Sequence, residues 1–374
     1  MKEAVNRAVW LAGPGNVLTM SAAAMPIPGD GELLVRTRAL GINPFDRVVQ
    51  TLGSMATPWL TYPAVLGSDV AGEVVEVGPL VSRFKIGDRV LGLALGMDKL
   101  ADRAAEGAFQ NYVILRQDAA TKLPNALSFE AAAVLPLGIA TAACGLFLED
   151  KLGLRTPTIL PSAATGQTVL IWGGSTSVGS CAIQLAVAAG YEVVTTASPR
   201  NFEYVRQLGA SEVFDYRDAK VVDALVRYLS GRDVVGALAI ASGSGAPCID
   251  VIARCQGRRV VAMVSAPVTL DDAPLAGQFG WKLTRLPRLL FGFAGLALRA
   301  RLKGVATRPI WGTALMQGTL GPAIFRDFLG AALASGSIVP APPPRVAGHS
   351  LDAIPAAMEM HAAGISAAKL VVTL

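Results

Sequence analysis

Residues 171–190 read IWGGSTSVGSCAIQLAVAAG, a short apolar run that turns through Gly173 and Gly174 into a helical pattern. A strand turning sharply into a helix leaves backbone N–H groups unpaired at the helix start, and a pyrophosphate can satisfy them. Gly173, Gly174 and Gly179 would let the backbone turn and approach such a ligand, with Ser175, Ser177 and Val178 completing the cradle. Where many such turns carry another glycine, this one has Thr176. Its hydroxyl either donates to the phosphates or only braces the turn.

The second chemical signal lies about 20 residues on, where sites for NAD place an acid against the ribose 2′-hydroxyl. Here residues 195–202 read TTASPRNF, and no acid precedes Glu203. Ser198 and Arg200 stand where a 2′-phosphate needs donors, and one charge-assisted hydrogen bond from Arg200 is worth about 1.5–3 kcal/mol. NADPH is therefore the expected cofactor. The alternative for Arg200 is a solvated loop residue.

These residues need a parallel sheet to hold them. From Gly166 the chain alternates apolar strands (TVLIWG, YEVVTTA, EVFDY, VGALAIA, GRRVVAMVS) with helical segments closed by Gly190 and Gly209, the pattern of a doubly wound α/β domain. The first third instead has short strands between Gly and Pro punctuation, as in GELLVRTRALGIN and VAGEVVEVG. Residues 281–315 interrupt the β-α rhythm and read as a basic, apolar insertion. No internal repeat is visible.

Composition narrows the class. The chain has 374 residues, enough for two domains, and is 52% hydrophobic and 16% charged. Its most apolar stretch, residues 131–148, is uncharged but alanine-rich and broken by Pro136 and Gly138, so a buried helix is expected there rather than a membrane span. No secretory signal is read at the N-terminus, and Cys144, Cys181, Cys248 and Cys255 lack a C-x-x-C pair, so a cytoplasmic location with buried free thiols is expected. The net charge is +5, and residues 273–326 hold no acid but carry Lys282, Arg285, Arg288, Arg299, Arg301, Lys303, Arg308 and Arg326. That stretch reads as a lid supplying Phe291 and Phe293 to an apolar pocket, as a solvated or dimer-contact face, or as a peripheral membrane helix.

In order along the chain, ALGINPFDR, LGSDVAGEVVEVG, FKIGDRVLG, EGAFQNYV, LPLGIATAACGL, VLIWGGSTSVG, LGASEVFDYRD and AKLVV resemble motifs of the medium-chain dehydrogenase/reductase superfamily. The likeness is greatest to its zinc-independent quinone oxidoreductases and to the trans-enoyl reductases that work beside fungal polyketide synthases. It implies a GroES-like β-rich catalytic domain formed by residues 1–137 and 336–374, and a Rossmann cofactor domain at 138–335 carrying the 281–315 insertion. Asn43 and Thr141 match positions lining the nicotinamide end of the cleft, although Asn43 also suits a cap before Pro44. Tyr216 matches a position near the adenosine phosphate, and Arg200 or Asn201 stands where relatives have a lysine. Asp46 and Asp69 read as residues that hold loops.

Zinc-dependent members have a cysteine at the position of Asn43 and a histidine at that of Ser68, and the structural zinc lobe's four cysteines have no counterpart in residues 92–108. No metal is expected. Without a Lewis acid, reduction of an activated C=C bond is the leading expectation, with enoyl thioesters, carrier-bound polyketides or enones as substrates. NADPH:quinone oxidoreduction is one alternative, and a non-catalytic nucleotide-binding partner protein is another. The resemblance allows an acyl-carrier or polyketide synthase partner and a monomer or homodimer. Neither nucleic acid nor membrane contact is expected.

Overall fold

The computed structural model describes residues 5–374 apart from 161, 268–269, 271–273 and 276–277, together with all their side chains except those of 278–280 and 282. Six parallel strands form one sheet: Gln167–Trp172, Glu192–Ala197, Glu212–Asp215, Asp233–Ala239, Val260–Met263 and Ala306–Pro309. Counted along the chain they lie in the order 3-2-1-4-5-6, so the winding reverses between the first and fourth strands. Ligands of such sheets bind at the carboxyl ends of strands beside that reversal.

The sixth strand corrects the sequence reading. Residues 281–315 are not an insertion, because Ala306–Pro309 pairs in register with Val260–Met263, and the Gln278–Leu302 helix precedes it as the crossover. The strand was illegible because its residues, ATRP, contain an arginine and a proline and no apolar run. An edge strand tolerates both.

A second sheet takes strands from both ends of the chain. Its order is Pro344–Gly348, Lys369–Thr373, Glu32–Gly41, Asp69–Val77, Arg89–Leu93 and Ala120–Lys122, with Tyr112–Arg116 also pairing on Glu32–Gly41. The central strand Glu32–Gly41 is mostly buried, and its neighbour Lys369–Thr373 reaches it antiparallel through Val371 opposite Gly41. Ile42 N–H then donates to Leu370 O at 3.0 Å, which continues the join toward the next helix.

That helix, Pro44–Leu52, begins where a proline at its first position and an acid in its first turn favour a helix start. The Pro136–Phe147 helix packs beside Ser177–Ala188 and is buried along almost its whole length. The uncharged run around it is thus a core helix, as its alanines and Pro136 suggested. Cys144, Cys181 and Cys248 are buried free thiols and Cys255 is half-buried; burial pushes the Cys144 and Cys181 thiols up to about 12, which leaves them inert.

Candidate active site

The glycine turn is built around Thr176. Gly173 adopts φ 94° and donates its N–H to Thr196 Oγ1 at 3.1 Å. Thr176 caps the Ser177–Ala188 helix: its Oγ1 accepts from Gly179 N–H at 3.0 Å and donates to Gly173 O at 2.8 Å. Its single proton is already committed, so the hydroxyl braces the turn and is not a spare phosphate donor. A Cβ on Gly179 would stand 2.2 Å from Gly173 O, which is why only glycine permits this closeness.

The adjacent strands carry the second group. Ala197 lies opposite Asp215, so the residues that follow, Ser198 and Tyr216, leave the sheet at neighbouring strand ends. Buried Ser198 accepts from Asn201 Nδ2 at 3.1 Å, and the same amide reaches Ser366 Oγ at 3.2 Å, tying this corner to the C-terminal segment. Arg200 is exposed. Tyr216 is also exposed, and it accepts from Arg217 Nε at 3.2 Å, with the guanidinium 5.3 Å from the ring centroid. Sequence reasoning passed over Arg217, a second cation at this end, although it adjoins Tyr216 in FDYRD.

Between the two sheets lies a cavity of about 550 Å³. Asn43, Thr141, Thr176, Ser177 and Val178 all line it, so both catalytic candidates meet the start of the cofactor helix there. Ser198, Arg200, Asn201 and Tyr216 lie outside it, at the ends of the second and third strands. Phe45, Leu95, Met97, Leu137, Ile310 and Trp311 make its walls largely apolar. Phe291 and Phe293 do not line it, so the lid reading fails in that respect. Both project from the Gln278–Leu302 helix toward solvent.

A buried charge cluster supports the cavity floor. Lys369 Nζ is 2.8 Å from Asp69 Oδ2 and donates to Asn43 Oδ1 at 2.6 Å; Ser177 Oγ lies 3.5 Å away. Asn43 Nδ2 donates to Asp69 Oδ2 at 2.7 Å, and Leu137 N–H donates to Asp69 Oδ1 at 2.6 Å. Gly41 makes room for this carboxylate, since a Cβ there would lie 2.9 Å from Asp69 Oδ2. Asn43 therefore caps the helix with its backbone and presents a side chain held from two sides. Lys369 was missed from the sequence; the available signal was one lysine opening an otherwise apolar strand, KLVVT.

Asp46, beside this cluster, is completely buried. Its Oδ2 accepts from Asn43 N–H at 2.8 Å, while Oδ1 has no partner. Burial, with the nearby Asp69 charge adding to it, raises its carboxyl to about 7 despite the opposing hydrogen bond and Lys369. At the cavity's other end Asp98 accepts from Leu100 N–H at 2.8 Å, from Trp311 Nε1 at 3.3 Å and from Thr313 Oγ1. Trp311 packs edge-on against Phe45 and Trp59, with ring centroids 5.2 and 5.4 Å away. An aromatic corner is thereby locked onto a carboxylate.

Comparison with known proteins matches this architecture. Residues 29–125 match the alcohol dehydrogenase GroES-like domain, and residues 177–275 match the zinc-binding dehydrogenase family. The dehydrogenase pigH of Monascus ruber is 47% identical over 373 residues, covering 99% of both chains. The chain belongs to the medium-chain dehydrogenase/reductase superfamily. The trans-enoyl reductase himH of Aspergillus japonicus is 35% identical over 346 residues, covering 92% of this chain and 90% of its own. The quinone oxidoreductase structure from Coxiella burnetii superposes with a TM-score of 0.67 at 23% identity, covering 99% of this chain and all of the other, a likeness of fold. The protein is thus a two-part α/β oxidoreductase of a family that uses a nicotinamide cofactor, with trans-enoyl reductase and quinone oxidoreductase relatives. Among the described residues, no three His, Cys, Asp or Glu side chains gather as a metal site.

Two outcomes follow from the charge cluster. Lys369→Met should leave Asp69 buried and unpaired, costing about 3–5 kcal/mol. Denaturant midpoints should recover substantially in Lys369→Met/Asp69→Asn; a double-variant loss equal to the sum of the Lys369→Met and Asp69→Asn losses would show that the pair is not coupled. For Asp46 the folded value of about 7 exceeds the ordinary 3.8, so its contribution to stability is fully present below pH 4. It is lost as pH rises toward 7, by on the order of 4 kcal/mol. Unfolding measured from pH 5 to 8 should decline less steeply for Asp46→Asn than for the parent chain.

Proposed function

We propose that this medium-chain reductase uses NADPH, without zinc, to reduce activated C=C bonds of enoyl thioesters, carrier-bound polyketide chains or enones. The observation that carries this reading is the Lys369 ammonium, seated against Asn43 and Asp69 below the cavity. A side-chain cation already neutralises Asp69, the carboxylate it touches, and a divalent ion beside it would meet like charge at close range in a poorly solvated site. Carbonyl polarisation by a metal has no fitting donor set in this cluster. Conjugate reduction demands less, because charge developing on the substrate oxygen can be held by hydrogen-bond donors.

The residues fit a dinucleotide. The glycine turn leaves no room for a Cβ at Gly179, and the first turn of the Ser177–Ala188 helix faces the cavity through Ser177 and Val178. The absence of an acid after the second strand, together with Ser198, Arg200 and Arg217, favours a 2′-phosphate at the adenosine end. When bound, the nicotinamide supplies the hydride. Asn43 and Thr141 would orient the acceptor, and Thr141 Oγ1 and Ser177 Oγ are the hydroxyls near which a developing enolate oxygen could lie. The apolar walls suit an acyl or polyketide chain. Quinone reduction on this scaffold is the competing reading, favoured by the solved quinone oxidoreductases of the same fold.

Arg200→Glu should raise the Kd for NADPH about tenfold to a hundredfold and leave NADH nearly unchanged, as read by fluorescence titration. Equal losses for both would remove Arg200 from 2′-phosphate recognition. With 4-deuterated NADPH and a panel of enoyl thioesters, enones and quinones, deuterium should appear on the β-carbon of the reduced product. Label on a carbinol carbon would mean carbonyl reduction, and turnover of quinones alone would favour the competing reading.

A further inference from the structure

The Gln278–Leu302 helix turns its apolar side outward. At about 100° per residue, Leu283, Leu286, Leu290, Phe291, Leu298 and Leu302 fall within one half of the cylinder, and all are solvent-exposed, Phe291 and Leu302 by 77% each. The opposite side holds the helix to the protein: Ala300 is buried, Leu296 packs on the six-stranded sheet's outer core, and Arg299 and Lys303 both pair with Asp250. A surface helix ordinarily buries such a stripe. Here the stripe is the part left uncovered.

The charges indicate what would cover it. Arg288 and Arg301 are exposed beside or within the stripe, and residues 273–326 contain no Asp or Glu that could answer them. A second copy docked stripe to stripe would bring these arginines into a contact with no carboxylate on either helix. An anionic lipid surface answers both features, with hydrocarbon for the leucines and Phe291 and headgroup phosphates for the arginines. The uncharged core of the helix, residues 289–298, is too short to span a bilayer, which leaves an in-plane seat.

We propose that this helix docks the reductase on anionic membrane surfaces, the peripheral membrane reading that its sequence left open. It would do so beside the active cavity. Ser265 and Ala266 line both that cavity and a smaller one of about 300 Å³ that Gly292, Gly295 and Leu296 of the helix also line.

The test is flotation of the full chain with vesicles of phosphatidylcholine alone or with one-third phosphatidylserine, at low and high salt. Binding is expected on the anionic vesicles, weakening with salt. It should fall about tenfold or more in Leu290→Glu/Phe291→Glu and, separately, in Arg288→Glu/Arg301→Glu. Far-ultraviolet circular dichroism and NADPH binding should stay unchanged in both, which separates lost docking from misfolding. Absence of flotation, or equal flotation of the variants, overturns the proposal. A concentration-dependent doubling of mass that Leu290→Glu/Phe291→Glu abolishes, without flotation, overturns it in favour of a second copy.

Discussion

The ion pair between Lys369 and Asp69 is the constraint on which the site depends. It joins the last strand of the chain to the strand beginning at Asp69, and through Asn43 and Leu137 N–H it also fixes the starts of the Pro44–Leu52 and Pro136–Phe147 helices. Four segments distant in sequence thus converge on one buried charge pair. Removing two charges from water is costly, and the pair is tolerable only because further hydrogen bonds serve the carboxylate and the ammonium. The same geometry explains Asp46. One lysine serves two buried carboxylates, and Asp69 holds it directly, so Asp46 keeps an unpartnered oxygen and a raised proton affinity.

Much of the fold was legible because its signals are local. Strands such as TVLIWG and YEVVTTA are buried on both faces and read as continuous apolar runs, and the glycine turn sits between a strand and a helix where its function requires it. Ala306–Pro309 escaped because pairing at a sheet edge needs no apolar run. For the Gln278–Leu302 helix the sequence left the lid and the outward-facing readings open side by side: composition locates an apolar stretch, but only the tertiary contacts show whether it turns inward or out.

The site was legible in part. Asn43, Thr141, Thr176, Ser177 and Val178 do meet at one cavity, because motif positions report which loops converge. Lys369 and Asp98 were invisible as partners, since a lone charge in an apolar strand and an aspartate in a loop acquire meaning only through residues hundreds of positions away. Asp98 holds Trp311 and Thr313, which follow the edge strand Ala306–Pro309 of the six-stranded sheet, so the aromatic corner of the cavity is set by a contact between the lobes. A pocket whose polar ends are both anchored across the cleft can keep apolar walls without losing its shape.

The threonine in the glycine turn links cofactor affinity to this framework. A glycine at position 176 would leave the turn free to close on a phosphate but would supply no cap, whereas Thr176 satisfies Gly179 N–H and Gly173 O internally. The turn gains rigidity, worth about 1 kcal/mol for a typical cap, and gives up one side-chain donor. Phosphate recognition then rests on backbone N–H groups that cannot distinguish the two nicotinamide dinucleotides, which share a pyrophosphate. On the proposed NADPH reading, discrimination is left to Ser198, Arg200 and Arg217 at the ends of the neighbouring strands. Because Asn201 binds both Ser198 and Ser366, that corner is braced by the same C-terminal segment that delivers Lys369 to the cavity floor.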